Sequence, residues 1–185
     1  MAKLVSQVYG EALFDLGVEA GLLDALSGEL DGVCGIFREN PDFGTLLRDP
    51  ELDKDEKKSV FDRVFEGRIS RELTGFLHLL LEKDRFGELF SVRDDFEKRR
   101  LAFHKIGVVH VTSAQALSEE QKEKLRQRLL ATTAFEELQI HYREEEALIG
   151  GLQIRIGDRV VDSSIRSSLA RMKESLMRVS LTEKA

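Results

Sequence analysis

Apolar residues in the first 105 positions of the chain recur with the spacing of amphipathic helices. Asp53, followed by Glu56 three residues later, resembles a capping box that opens a helix. Pro50 ends the segment before it, because proline cannot continue a helix. Short connections between amphipathic helices are typical of a bundle. The pattern therefore predicts a six-helix bundle, with helices at residues 3–20, at 22–37, after Pro41, from Asp53, at 69–83 and at 86–104.

Two of these helices have clear predicted core positions. Those of the second helix are Leu23, Leu26, Leu30, Val33 and Phe37. Those of the sixth helix are Leu89, Phe90, Phe96 and Phe103. Side chains three and four residues apart lie on one face of a helix, so we expect these positions to point into the bundle.

The first helix differs because it carries apolar residues on two faces. The main stripe, which we expect to face the core, consists of Val5, Val8, Tyr9, Ala12 and Leu16. A second face carries Leu4, Phe14 and Val18, and Glu11 interrupts it. Such a helix is either central in its bundle or one wall of a groove that receives another helix. The sequence leaves both possibilities open.

After residue 105 the period of the pattern changes from helix to strand. The segments 106–112 and 138–142 are extended, and residues 148–161 read as a hairpin that turns at Gly157 and Asp158. Ser118 with Gln121 is predicted to cap a helix reaching about Leu130, and a final helix follows residues 162–164. The predicted fold class is therefore α+β, with a helical domain at 1–105 and a small α/β domain at 106–185.

The charge of the chain is uneven. Residues 1–105 carry 16 Lys/Arg and 22 Asp/Glu, a net charge of −6, whereas residues 106–185 carry 12 of each, a net charge of 0. Nucleic-acid binding requires a basic face, so this balance argues against it. The single Cys34 indicates a reducing compartment. We see no signal peptide after Met1 and no apolar run of about 20 residues, and we therefore expect a bacterial protein that does not insert into a membrane.

Candidate chemistry is sparse. The four histidines and Cys34 show no metal-ligand spacing. Gly150 and Gly151, followed by Gly157, lack the arrangement of a phosphate-binding loop, and we expect a close approach of two backbone segments there instead. We therefore predict no catalytic residue, no cofactor and no metal, which favours a binding or scaffolding role.

The segment from Leu148 to Leu169 closely resembles the signature of the F-type ATP synthase delta subunits, whose mitochondrial counterpart is the oligomycin-sensitivity-conferring protein. The opening run from Tyr9 to Phe14 is similar to the start of that family, whereas Ser167 and Ser168 depart from its pattern. The residues that carry the signature are Gly150, Gly151, Gly157, Asp158, Asp162, Ser164 and Arg166.

The resemblance implies a non-catalytic stator subunit that links the catalytic head to the peripheral stalk and resists rotor torque during proton-driven ATP synthesis. The helical domain would receive the N-terminal helix of an alpha subunit, and the second domain would bind the b subunits of the stalk. The protein would lie at the cytoplasmic face of the bacterial plasma membrane, held there through the complex. The alternative is another helical adaptor or scaffold protein.

The resemblance also implies a groove between the first and fifth helices. The candidate residues for contact with the alpha subunit are Leu4, Phe14, Val18, Gly75 and Leu79. A buried interface anchor contributes about 2 kcal/mol, so Phe14→Ala is predicted to weaken binding about thirtyfold.

Overall fold

The computed structural model describes residues 2–49 and 52–182, with side chains for residues 5–49 and 52–173. The predicted end of the third helix at Pro50 lies outside the described residues. The contacts between Cα atoms divide the chain into two compact units, Met1–Leu101 and Ala102–Ala185. The described residues contain eight α-helices and one four-stranded sheet, so the fold is α+β with a helical N-terminal region.

The helices of the N-terminal region begin and end close to the predicted positions. The Asp53 side chain accepts a hydrogen bond from the Asp55 amide, so a shorter cap replaces the predicted capping box with Glu56. Ser70 caps the fifth helix, and its hydroxyl accepts from the Leu73 amide. The helices are α1 Ala2–Ala20, α2 Leu23–Glu39, α3 Pro41–Arg48, α4 Lys54–Phe65, α5 Arg71–Glu82 and α6 Leu89–Phe103, with a 3-10 turn at Phe86–Glu88 before α6.

The core of the first unit is built around α2. All five predicted core residues of this helix are buried. An aromatic cluster packs beside them, in which Phe37 lies 5.0 Å from Phe43 and 5.0 Å from Phe86 between ring centroids. Such ring pairs stabilise a core by about 0.5–1.5 kcal/mol beyond their buried area.

The predicted core stripe of α1 is only partly correct, because Tyr9 and Leu16 are half-buried and pack against the core but other predicted positions do not. The structure buries Ser6, Gly10, Leu13 and Gly17, whereas Val8 is 59% exposed and Ala12 is also exposed. A β-carbon at Gly10 would lie 2.6 Å from a carboxylate oxygen of Asp95. The buried face of α1 therefore combines the large side chain of Leu13 with small residues, and Gly10 lies where Asp95 approaches closely.

The predicted core of α6 is only partly correct. Leu89 and Phe96 are buried, and Val92 is buried where no core residue was predicted. Phe90 is 38% exposed and Phe103 is 56% exposed. Two apolar side chains of this helix therefore lie outside the core.

Ion pairs connect α6 to its neighbours. Arg99 contacts Glu11 of α1 at 3.1 Å, and Arg100 contacts Asp24 of α2 at 2.7 Å. Arg100 also binds Glu97 and thereby lowers the pKa of the Glu97 carboxyl. Two residues of the basic run 98–100 late in α6, Arg99 and Arg100, are thus engaged within the first unit.

The second unit is an open sheet with the strand order β2-β1-β3-β4. β1 lies parallel to β2 and antiparallel to β3, and β4 closes the predicted hairpin. Helix α7 connects the two parallel strands, and Ser118 and Gln121 form the predicted capping box at its start. The elements are β1 Ile106–Ser113, α7 Glu119–Thr132, β2 Glu137–Glu144, β3 Leu152–Ile156, β4 Arg159–Asp162 and α8 Ile165–Thr182.

Candidate partner-binding surfaces

The seam between α1 and α5 is marked by one aromatic contact. The Tyr9 ring meets the Phe76 ring edge-on, with 6.3 Å between centroids. Elsewhere on these two helices, α1 carries half-buried and exposed apolar residues, and α5 exposes Gly75 and Leu79, of which Leu79 is 41% exposed. We name this surface the α1–α5 groove; its residues are Val5, Val8, Ala12, Leu16, Gly75 and Leu79.

Phe14 and Val18 lie on a different side of α1. Glu11 and Gly10, one turn before them, both face α6, where Glu11 binds Arg99 and Gly10 approaches Asp95. Phe14 is half-buried and packs against the core, and Val18 is 41% exposed. Gly75 lines a cavity together with residues of α4, whereas Phe14 and Val18 lie on the side of α1 that faces α6, so a single contact surface made of all these residues stays a prediction. The side chain of Leu4 lies outside the described residues.

Acidic residues border the α1–α5 groove. Asp15 and Glu19 are exposed on α1, within one turn of Ala12 and Leu16, and Glu72 lies one turn before Gly75 on α5. The α1 side of this surface is therefore acidic, whereas α5 carries the exposed Arg71 as well as Glu72 one turn before Gly75. This arrangement suits an amphipathic helix with basic flanks.

The glycine pair of the signature allows two backbone segments to meet, as the sequence predicted. Gly151 has φ +80°, and a β-carbon there would collide with the Ser163 carbonyl oxygen. A β-carbon at Gly150 would lie 2.6 Å from the Ile165 side chain. The Ile165 amide donates to the Gly150 carbonyl at 2.9 Å, which fixes the start of α8 against the loop before β3.

The Asp-x-Ser part of the signature caps α8. One carboxylate oxygen of Asp162 accepts from the Ser164 amide at 2.8 Å, and the other accepts from the Ser167 hydroxyl at 2.7 Å. These bonds lower the pKa of Asp162 to about 2. The Ser164 hydroxyl accepts from the Ser167 amide. The residue Ser167, which departs from the family pattern, thus takes part in the cap.

The other signature residues occupy exposed positions. Gly157 has φ +55° in the two-residue turn between β3 and β4, and Asp158 follows it. Arg166 is exposed in the first turn of α8. The glycines and the Asp-x-Ser cap therefore fix backbone geometry, whereas Arg166 faces solvent.

Helix α8 leaves an apolar stripe uncovered. Ile165, Leu169 and Met172 are 47%, 53% and 62% exposed and recur at the spacing of one helix face. We name these three residues the α8 stripe. Val160 and Val161 of the edge strand β4 are also more than half exposed. Exposed apolar surface of this kind, when it is contiguous, is typical of interaction sites.

A second apolar concavity lies between α7 and β3. Its volume is about 620 Å³, and Leu117, Leu125 and Leu152 line it together with the basic residues Lys124 and Arg128. The second unit therefore offers apolar surface in this concavity as well as on α8.

The structure brings two histidines together that lie far apart in the sequence. His110 and His141 are paired in the parallel register of β1 and β2, and their rings stack 5.1 Å apart. Among the residues that the structure describes, no group of three or more His, Cys, Asp or Glu side chains is arranged to hold a metal. Cys34 is buried in α2, and burial raises its pKa to about 11, which makes it a poor nucleophile.

None of the described helices is both long and apolar enough to cross a membrane.

Residues 5–176 match the family model of the ATP synthase delta (OSCP) subunit.

Relatives with the same description cover almost the whole chain. The ATP synthase subunit delta of Lachnoclostridium phytofermentans is 41% identical over 181 residues, which cover 98% of this chain and 100% of the relative. That of Acetivibrio thermocellus is 32% identical over 177 residues, or 95% and 98% of the two chains. A chain of the Toxoplasma gondii mitochondrial ATP synthase hexamer has the same fold, with a TM-score of 0.68 at 20% identity, covering 93% of this chain and 97% of that one. The chain belongs to the ATP synthase delta (OSCP) subunit family.

Proposed function

We propose that this chain is a stator subunit that joins the catalytic head of an F-type ATP synthase to its peripheral stalk. The observation that carries the proposal is uncovered apolar surface on each of the two units, in a chain of this family. A stator holds both partners while the rotor turns, which requires extended apolar contacts rather than isolated surface ion pairs, since the latter contribute only about 0–1 kcal/mol each. The subunit would resist torque during proton-driven ATP synthesis.

On the head side, the α1–α5 groove would receive the N-terminal helix of an alpha subunit. The helices of residues 1–105 would act as one six-helix bundle and so form a rigid platform for this contact. Leu79 and Val8 would supply the central contacts, because both expose apolar surface beside the seam. The carboxylates of Asp15, Glu19 and Glu72 would favour a partner helix with basic flanks and would mainly speed its association.

On the stalk side, residues 106–185 would bind the b subunits. The α8 stripe has the spacing with which one helix packs on another, and partner helices of a stalk would cover it. The signature residues would contribute indirectly, because the glycine pair and the Asp162 cap fix the direction in which α8 leaves the sheet. Arg166, in the first turn of α8, and Asp158, in the turn between β3 and β4, are exposed signature residues that could make a direct contact.

The subunit would act without catalysis and without a cofactor. Its place would be the cytoplasmic face of the bacterial plasma membrane, where it would be held through its partners.

The test is a pair of titrations with the full chain. An alpha N-terminal peptide and a b C-terminal fragment are each added to the unmodified chain, to Val8→Asp and to Leu169→Asp. A charge placed in an apolar contact is costly unless it is paired, so Val8→Asp should abolish only the alpha interaction and Leu169→Asp only the b interaction. If either variant weakens both interactions equally, or neither, the assignment of one partner to each unit is wrong.

A further inference from the structure

A separate cavity lies in the first unit, between the end of α2, α3 and the start of α6. Its volume is about 290 Å³. Phe37 and Phe86 form an apolar wall, with ring centroids 5.0 Å apart, and the buried Leu89 extends it. Gly44 and Gly87 also line the cavity, and a β-carbon at Gly87 would lie at ordinary contact distance, 3.6 Å, from the Arg48 side chain.

Two arginines line the same cavity. The Arg38 guanidinium lies over the Phe90 ring, 5.4 Å from its centroid. Arg48 donates from Nε to the Gly44 carbonyl at 2.8 Å, which leaves the two terminal nitrogens of its guanidinium for another acceptor.

Neither arginine pairs with a carboxylate in the part of the chain that the structure describes, whereas Arg93 and Arg100 of α6 do. The first unit is acidic as a whole, whereas the two guanidinium groups beside this cavity are positively charged.

We propose that this cavity binds a small carboxylic acid that carries an aromatic or branched apolar group. The apolar group would lie against Phe37 and Phe86, and the carboxylate would accept hydrogen bonds from the terminal nitrogens of Arg48. The Arg38 guanidinium would add a second positive charge near the carboxylate. A planar guanidinium matches a carboxylate in geometry. The volume is at the lower end of ligand pockets, which span about 300–1,000 Å³, and therefore fits a single ring rather than a helix or a nucleotide. This proposal does not rest on the stator function.

The alternative role of the two arginines is to stabilise helix ends. Arg38 and Arg48 stand in the last turns of α2 and α3, where a positive charge interacts favourably with the helix dipole. That role needs no ligand, so direct binding measurements separate the two.

The experiment is a titration of the full chain with 3-phenylpropionate, followed by amide chemical shifts in NMR spectra. We expect saturable shifts at the cavity residues and weaker binding of the neutral amide, 3-phenylpropanamide. Hydrogen bonds to a charged group support a loss of about tenfold or more for Arg48→Gln. The matched control is Arg63→Gln on α4, an exposed arginine that lies outside the cavity, and it should bind like the unmodified chain.

A second variant tests the cavity without altering its charge. Gly87→Val fills the space beside Arg48 and should abolish binding while both arginines remain. The proposal is overturned if the unmodified chain shows no saturable shifts, if the amide binds as well as the acid, or if Arg48→Gln binds as tightly as Arg63→Gln. A lower melting temperature for Arg48→Gln in the absence of any binding would assign the arginines to the helix ends alone.

Discussion

Shortening two side chains of the α1–α5 groove gives a defined loss of affinity. In the free chain Val8 is 59% and Leu79 is 41% exposed, so a partner helix that covers both removes from water about as much surface as one whole apolar side chain. Burying such a side chain stabilises by about 1.5–3 kcal/mol, and alanine retains part of it. Val8→Ala combined with Leu79→Ala should therefore weaken binding of the alpha N-terminal peptide by about 1.5–2 kcal/mol, or about tenfold to thirtyfold.

The chain offers a matched control for this change. Val18 is 41% exposed, like Leu79, and lies on the same helix as Val8, but on the side that faces α6. Val18→Ala should therefore leave the affinity unchanged. Isothermal titration calorimetry gives the dissociation constants, and circular dichroism confirms that each variant is folded. Equal losses for Val18→Ala and the double variant, or no loss for the double variant, would refute the location of the groove.

Three further predictions concern stability. Phe14→Ala should lower the free energy of unfolding by about 1.5–2.5 kcal/mol, which is half the cost of truncating a fully buried phenylalanine, and should leave the peptide affinity unchanged. An affinity loss of about thirtyfold at unchanged stability would instead support the sequence-based prediction that Phe14 is an interface anchor. Folding lowers the pKa of Asp162 to about 2, so the stability that its carboxylate contributes is present above pH 4 and disappears as the pH falls towards 2. The melting temperature of Asp162→Asn should therefore approach that of the unmodified chain at low pH. A difference in melting temperature that stays constant from pH 5 to pH 2 would contradict this prediction. Gly151→Ala should destabilise the chain by about 1–3 kcal/mol, because φ is positive and the new methyl group meets the Ser163 carbonyl. The control Gly28→Ala lies on an open helix surface and should stabilise the chain slightly, as measured by chemical denaturation. Equal effects of the two variants would mean that the close backbone approach at Gly151 does not affect stability.

The sequence predicted well those elements whose apolar residues face the core. In α2 every predicted core residue is buried. The capping box of Ser118 and Gln121 and the turn at Gly157 were also predicted, because each depends on neighbouring residues alone. Features that depend on residues close together in the sequence can therefore be predicted without knowledge of the tertiary structure.

The prediction was only partly correct in α1, because three of the four residues on its buried face are small or polar and give little hydrophobic signal. Ser6, Gly10 and Gly17 are buried through close helix packing, a property of the neighbouring helices that periodicity does not report. The large residues that form the apparent core stripe, Val8 among them, lie in part on the surface. Gly10 and Gly17 are seven residues apart and therefore lie on the same helix face, and this spacing was the sequence feature that could have indicated close packing.

The α8 stripe shows a second limit of sequence patterns. Ile165, Leu169 and Met172 have the spacing of a core-facing helix and are nevertheless exposed. Periodicity indicates that a helix face is apolar, but not whether the same chain or a partner covers it. Sequence patterns also did not predict the contact between His110 and His141, because it depends on the parallel register of β1 and β2.

The central claim is that one chain holds the head and the stalk at the same time. The most direct measurement is the mass of the complex formed when the full chain is mixed with the catalytic head and a b-subunit stalk fragment, as measured by sedimentation. We predict one complex that contains all three, which loses the head when the chain carries Val8→Ala with Leu79→Ala and loses the stalk when it carries Leu169→Asp. Binding of the head that displaces the stalk, or a complex of head and stalk that forms equally well without the chain, would contradict the stator function.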